Sequence, residues 1–348
     1  MPSDAIKEAL RQAEICNACR YCEGYCSVFP ALHSMRAFSD GNITHLANLC
    51  HNCRGCYYAC QYTAPHEFNL NIPAVLAEVR RESWEVHAWP QPVARAFQRS
   101  GVAISLFLVA ALASMFFLIQ SLPNGEGEGF YAIVPHSLMV AIFAPAFLLP
   151  LISIGISVFR FWKTTYASES GSAHLTRSLA AAGSMSNLSG GHGDGCNFED
   201  EDRFSHARRY AHQLVMFGFL LCFLSTASGT VMHYGLNWPA PYGFWTPPKL
   251  LGVSGGVMMV FGTLWMAALK LRADKELDDV SSWGGQMATI WLLFLTAFSG
   301  LLLYVLGSSD WMPQMLALHL GSVLGLFLLL PYTKMVHGFF RLVAMARS

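Results

Sequence analysis

The run Cys16-Asn17-Ala18-Cys19-Arg20-Tyr21-Cys22-Glu23-Gly24-Tyr25-Cys26 returns after 23 residues as Cys50-His51-Asn52-Cys53-Arg54-Gly55-Cys56-Tyr57-Tyr58-Ala59-Cys60. Both runs space their thiols C-x2-C-x2-C-x3-C. A cubane iron–sulfur cluster needs four thiolates around it: a C-x2-C-x2-C loop wraps three of them on one face, and the fourth arrives from elsewhere. In two-cluster ferredoxins the fourth cysteine of each run serves the other cluster. Carried over, cluster one takes Cys16, Cys19, Cys22 and Cys60, and cluster two takes Cys50, Cys53, Cys56 and Cys26. Proline commonly follows the fourth cysteine, whereas Ser27 and Gln61 follow here, with Pro30 and Pro65 a few residues on. That departure bears on the local turn more than on ligation. A pair of four-cysteine zinc sites is the alternative, because zinc uses similar C-x2-C knuckles. Such sites pair two dicysteine knuckles and seldom duplicate a triple run.

Eight of the ten cysteines fall within these runs. Residues 1 to 30 carry no basic segment followed by an apolar one, so no cleavable secretory signal is expected, and a reducing compartment favours metal over disulfides. Cys222 lies mid-span and reads as a small core hydrophobe; Cys196 has no evident role. Residues 1–95 form a polar, cysteine-rich unit with helices expected near Asp4 to Ile15 and Ile72 to Ser83.

Beyond it the composition changes. The 348 residues are 53% hydrophobic and 13% charged, with a mean hydropathy of +0.37, too apolar for an ordinary soluble enzyme. Within 96–348, six apolar stretches at about 101–120, 132–159, 211–233, 250–269, 287–306 and 315–336 each approach the roughly 20 residues that cross a hydrocarbon core of about 30 Å. Pro145 and Pro150 would kink the second span without breaking it. The expected fold is all-α: an α-helical ferredoxin-like head followed by a six-helix transmembrane bundle.

The net charge is zero, so nothing in the total favours a polyanionic partner such as nucleic acid. Its distribution is informative. With the head cytoplasmic, 21 of the 22 basic residues fall on the head's side, and only Lys249 lies opposite. This bias places both termini in the cytoplasm. The Gly/Ser-rich stretch 167–205, with its Gly190–Cys196 glycine run, reads as a flexible cytoplasmic loop. The sharper alternative packs the glycine run beneath the head, where it helps to bind a partner or quinone.

Ionisable residues in spans are functional hypotheses by default. His212 and His233 bracket the third span, and His319 and His337 bracket the sixth. His319 and His337 are 18 residues apart, five turns at about 3.6 residues each, so both rings leave one face. Two antiparallel helices so equipped can hold b-type haem by bis-histidine ligation: His212 with His337 near the head, and His233 with His319 at the far side. His136 is the substitute for either outer ligand. One or two haems are expected, with Lys334 and Arg341 in reach of the inner propionates. Interfacial capping by single histidines is the plain alternative. Most tryptophans fall near span ends and read as an aromatic belt, with Trp84 and Trp89 as candidate walls of a quinone pocket.

Taken together, the two cysteine runs, the Gly191–Cys196 stretch leading to Arg208, Arg209 and His212, and His233 resemble the citrate/tricarballylate-utilisation protein B family of bacterial membrane electron-transfer proteins. The head alone is similar to the helical ferredoxin domains of succinate dehydrogenase and heterodisulfide reductase. The 18-residue histidine spacing is similar to that of nitrate-reductase-type cytochrome b subunits. The resemblance implies a quinone-reducing redox subunit that takes electrons from a soluble FAD-dependent, tricarballylate dehydrogenase-like partner through two [4Fe-4S] clusters and haem b to quinone. No G-x-G-x-x-G or G-x-x-x-x-G-K-[ST] fingerprint is present, so flavin and substrate chemistry belong to another chain. The rivals are a heterodisulfide-reductase-like redox subunit, for which a further reactive cysteine motif is missing, and a zinc-binding membrane anchor without redox activity.

Overall fold

A computed structural model describes residues 2–120, 129–167, 174–190, 193–199 and 202–348. Among these there is no strand, only one isolated bridge between Cys196 and Ser205. The head holds α1 (Asp4–Cys19), α2 (Val28–Ser34), α3 (Asp40–Leu49), α4 (Gly55–Tyr58) and α5 (Ile72–His87). Local sequence sets their starts. Ser3 caps α1 by accepting from the Ile6 amide, Ser39 and Asn42 form a capping box on α3, and Asn71 caps α5 ahead of Pro73. The four-residue repeat Ala5, Ala9, Ala13 on α1 meets Ile43, Leu46 and Ala47 of α3 and Leu76 and Val79 of α5 in one buried core.

Six further helices are long and apolar enough to cross a membrane, so the chain is a multi-pass membrane protein. They are α6 (Gln91–Ile119), α7 (His136–Thr165), α9 (Ala207–Thr230), α10 (Pro247–Arg272), α11 (Trp283–Leu306) and α12 (Met312–Leu329), with α8 (Leu175–Ser184) between the second and third and α13 (His337–Ala346) last. α7 runs through Pro145 and Pro150. The break falls instead in α6 at Ser100, whose φ of −137° separates a head-proximal turn from the span proper. α9 packs on α10, and α12 on α6, α7 and α11.

Glycine makes the α9–α10 crossing possible. A Cβ at Gly255 would stand 2.7 Å from the Gly218 carbonyl oxygen and 2.8 Å from Leu221 Cβ, and one at Gly218 would stand 2.8 Å from the Gly255 carbonyl oxygen. Small residues are what allow helix backbones to approach this closely in a membrane. Gly255→Val is therefore expected to force the pair apart and destabilise the bundle by about 1–3 kcal/mol, read as a fall in unfolding temperature in detergent; Gly243→Val, where a Cβ would meet nothing within 4 Å, should leave it unchanged.

The head sits on one end of the bundle, and the C-terminal helix is part of the join. Ala344 of α13 enters the head core. Arg81 pairs with Asp279 at 2.6 Å, Asn71 Nδ2 donates to the Glu276 carbonyl at 2.9 Å, and His45 Nδ1 lies 2.8 Å from the Tyr166 hydroxyl. The sixth apolar stretch is not one helix to residue 336. It leaves α-geometry after Leu329, passes through short 3-10 turns at Leu330–Tyr332 and Lys334–Val336, and restarts at His337. Pro331 explains the break, because it has no amide hydrogen to continue the helix. The five-turn argument for His319 and His337 therefore does not apply to this chain.

Among its described residues, the stretch 167–205 is more structured than a flexible loop. It contains α8 and a turn at Ser186–Ser189, and its end packs on the head. Gly191 and His192 of the glycine run lie outside the described residues.

Candidate redox site

The eight run cysteines sort into two neighbouring sets. Cys16 faces Cys19, Cys22 and Cys60, while Cys26 touches Cys53 and lies beside Cys50 and Cys56. In both runs the residue after the second cysteine, Arg20 or Arg54, takes a left-handed backbone, with φ of 58° and 68°. This reversal is how each short loop curls its thiols inward. Burial and the neighbouring Cys60, Cys22 and Cys19 push the Cys16 thiol up to about 12, so the set ionises readily only around a compensating cation. Among the described residues, no three His, Cys, Asp or Glu side chains close around a single ion. Two sets of four thiols in duplicated C-x2-C-x2-C-x3-C runs are the donor chemistry that iron–sulfur clusters use.

The two sets differ in surroundings. Cys19 is exposed, whereas Cys50 and Cys53 are buried. Backbone amides approach sulfur in both: Tyr62 N to Cys60 Sγ at 3.3 Å and Asn52 N to Cys50 Sγ at 3.4 Å. Around the second set, cationic side chains converge from three other elements. Arg80 of α5 donates to the Cys50 carbonyl at 2.9 Å, as does Arg341 of α13, also at 2.9 Å. Arg208 of α9 donates to the Asn52 carbonyl at 2.7 Å, and its guanidinium lies 4.2 Å from the Phe198 ring centre. Arg54, from the loop itself, stacks on the same ring at 4.8 Å and donates to the Phe198 carbonyl at 3.1 Å. Sequence reasoning missed Arg54, Arg80 and Phe198. No local pattern announces contacts that span 30 residues, as from Arg80 to Cys50, or 144, as from Arg54 to Phe198.

The histidines fall into place less uniformly. His212 on α9 and His337 at the start of α13 have ring centres 5.8 Å apart, with planes at 79°. Two imidazoles on opposite sides of one iron stand about 6 Å apart between centres, given metal–nitrogen bonds of about 2 Å. His337 Nδ1 hydrogen-bonds the Lys334 carbonyl, which turns Nε2 outward, as an axial ligand requires. Burial, with Arg341 and His212 beside it, holds His337 well below the usual histidine range. The buried His212 Nδ1 has no protein partner. This pair fits a haem iron.

His233 and His319 are not paired in the same way. His233 stacks on His136 at 4.3 Å and 27°, too close for an iron between them, while His319 Nδ1 lies 3.2 Å from Ser299 Oγ. A common face for His212 and His233 on the third span needs regular α-helix between them, but Val231–Gly235 is a π-turn, which rotates His233 toward α7. The structure also gives Lys334 and Arg341 other partners than propionates: Gln286 for Lys334 and Cys50 for Arg341. Trp84 Nε1 donates to Asn48 at 3.0 Å, and the ring lines a small cleft with Arg80, Phe97, Gln98 and Gln286. The Trp89 carbonyl accepts from Ser153 Oγ, at the join between head and bundle.

With this geometry in hand, two family models match. The description Citrate utilization protein B Fer4-like domain covers residues 9–85, and Citrate utilization protein B covers 95–348. The chain belongs to the citrate utilization protein B family. Its Fer4-like domain carries the eight run cysteines and supports iron–sulfur clusters. A relative from Escherichia coli, Citrate utilization protein B, is 38% identical over 346 residues, covering 98% of this chain and 91% of the relative. No solved structure matches.

Proposed function

We propose that this family member is the membrane electron-transfer partner of a soluble FAD-dependent dehydrogenase in citrate or tricarballylate utilisation. Electrons enter at cluster one, held by Cys16, Cys19, Cys22 and Cys60, pass to cluster two, held by Cys50, Cys53, Cys56 and Cys26, and continue to haem b on His212 and His337 and then to quinone. The observation carrying this order is α13. It presents His337 to His212 and, one helical turn later, Arg341 to the Cys50 carbonyl. Cluster two thus adjoins the histidine pair, while exposed Cys19 brings cluster one to the surface where a soluble donor docks. A bound cluster supplies one-electron redox chemistry. The chain's residues fix its ligands, neutralise its charge with arginine and shield cluster two from water.

The test is stepwise reduction. With the reduced flavoprotein as donor, both clusters and the haem of the purified chain should reduce. A variant that lacks cluster-two iron should show reduced cluster one and oxidised haem. Reduction of haem at the parental rate in that variant would contradict the order.

The same reading puts the head in the bacterial cytoplasm. Reporter fusions after Arg177 and after Ser348 should read as cytoplasmic and a fusion after Asp310 as external; a cytoplasmic signal at Asp310 would break the six-span arrangement.

A further inference from the structure

The loop that closes over cluster two contains a ninth cysteine, outside both runs. Cys196 is 1% exposed and packs with Cys53 and Leu188 in one buried cluster. Its position is set from both sides. Its amide donates to the Ser205 carbonyl at 2.9 Å, its carbonyl accepts from the Ser205 amide at 3.0 Å, and the next amide, Asn197 N, donates to the Cys53 carbonyl at 2.9 Å. Gly195 precedes it with φ of 108°, and any Cβ there would strike the Ser205 carbonyl oxygen. Arg208, three residues after the bridge closes, ties the segment to Asn52. Residues 195–197 and 205–206, between the second and third spans, therefore form a strap across the cluster-two loop, and the Cys196 thiol reaches Cys53.

That thiol has one hydrogen and two acceptors. Cys196 Sγ lies 3.3 Å from the Leu188 carbonyl oxygen and in hydrogen-bonding contact with Cys53 Sγ. When Cys53 is a thiolate bound to iron, its sulfur is the anionic acceptor of the two, and hydrogen bonds to anionic acceptors are the stronger. We infer that Cys196 is a positioning residue for cluster two, donating its S–H to the Cys53 thiolate and raising the cluster's reduction potential. The four-thiolate set is complete without it. A hydrogen bond to a cluster sulfur stabilises the reduced form, which carries one more negative charge, so the potential rises. Amides and arginines around the same loop act in the same direction. The strap thereby shifts cluster two in the direction that favours electron flow from cluster one toward the bundle. This inference rests on the two-cluster reading above.

The test is an EPR-monitored redox titration of the full chain in detergent, with non-haem iron counted in every sample. Cys196→Ala should keep the iron content of the parent and shift the cluster-two midpoint to more negative values while leaving cluster one in place. Cys196→Ser, which restores a donor, should recover part or all of the shift. An unchanged cluster-two midpoint in Cys196→Ala would overturn the inference. So would equal loss of cluster-two iron in both variants, which would make Cys196 a structural element of the strap or a ligand. Absence of any cluster signal in the parent chain would defeat the two-cluster reading itself, and the inference with it.

Discussion

Cys53→Ala should give a protein that still inserts in the membrane, retains about half of its roughly eight non-haem irons, and delivers no electrons to the bilayer. Cys53 is buried, in contact with Cys26 and Cys196 and bonded through its carbonyl to the strap at Asn197. No water can stand in for the missing thiolate, so the cluster is lost and not merely weakened. The spans begin only at Gln91, and the head core of α1, α3 and α5 does not use this side chain, so insertion survives. Cys19→Ala touches an exposed ligand of the other set. It should remove cluster one, block reduction by the flavoprotein, and leave cluster two reducible by small dithionite-type reductants. Iron analysis with EPR, paired with donor-dependent quinone reduction, checks both; parental turnover in Cys53→Ala would contradict the route.

His337→Ala and His212→Ala should lose the same haem and give matching reduced-minus-oxidised spectra. Their rings face each other at 5.8 Å, and removing either leaves the iron with one protein ligand. In both variants electrons should reach the clusters and stop, so the expected loss of quinone reduction is near complete. His319→Ala should spare that haem, because its ring is engaged with Ser299 in another part of the bundle. If a second haem exists, His233 must separate from His136 to hold it, whereas the Ser299 contact of His319 Nδ1 leaves Nε2 available. Different spectral losses in His337→Ala and His212→Ala would refute the pairing, and full haem in all of these variants would refute ligation by these histidines.

What the chain reveals before folding is what short-range spacing encodes. The C-x2-C-x2-C-x3-C runs mark the metal-binding loops because the ligands lie within one turn of each other, and the six apolar stretches are visible because a bilayer demands uninterrupted length. Long helical extrapolation fared worse. Carrying a face across 18 residues from His319 to His337 required an unbroken helix, and Pro331 was the visible signal against it. Carrying one from His212 to His233 required α-geometry to the end, and the π-turn at Val231–Gly235 has no comparable mark in the sequence. Cys196 lacked a role for a third reason. Its meaning depends on Ser205, Cys53 and Leu188, which only the folded strap brings together. Arg341 likewise looked like a haem-facing cation from its distance to His337, but α13 turns it onto the Cys50 carbonyl.

The most direct test of the central claim, a two-cluster redox head on a membrane bundle, is the metal and sulfide content of the purified full chain. The account predicts about eight non-haem irons and about eight acid-labile sulfides per chain. About two zinc ions per chain with no acid-labile sulfide would contradict it.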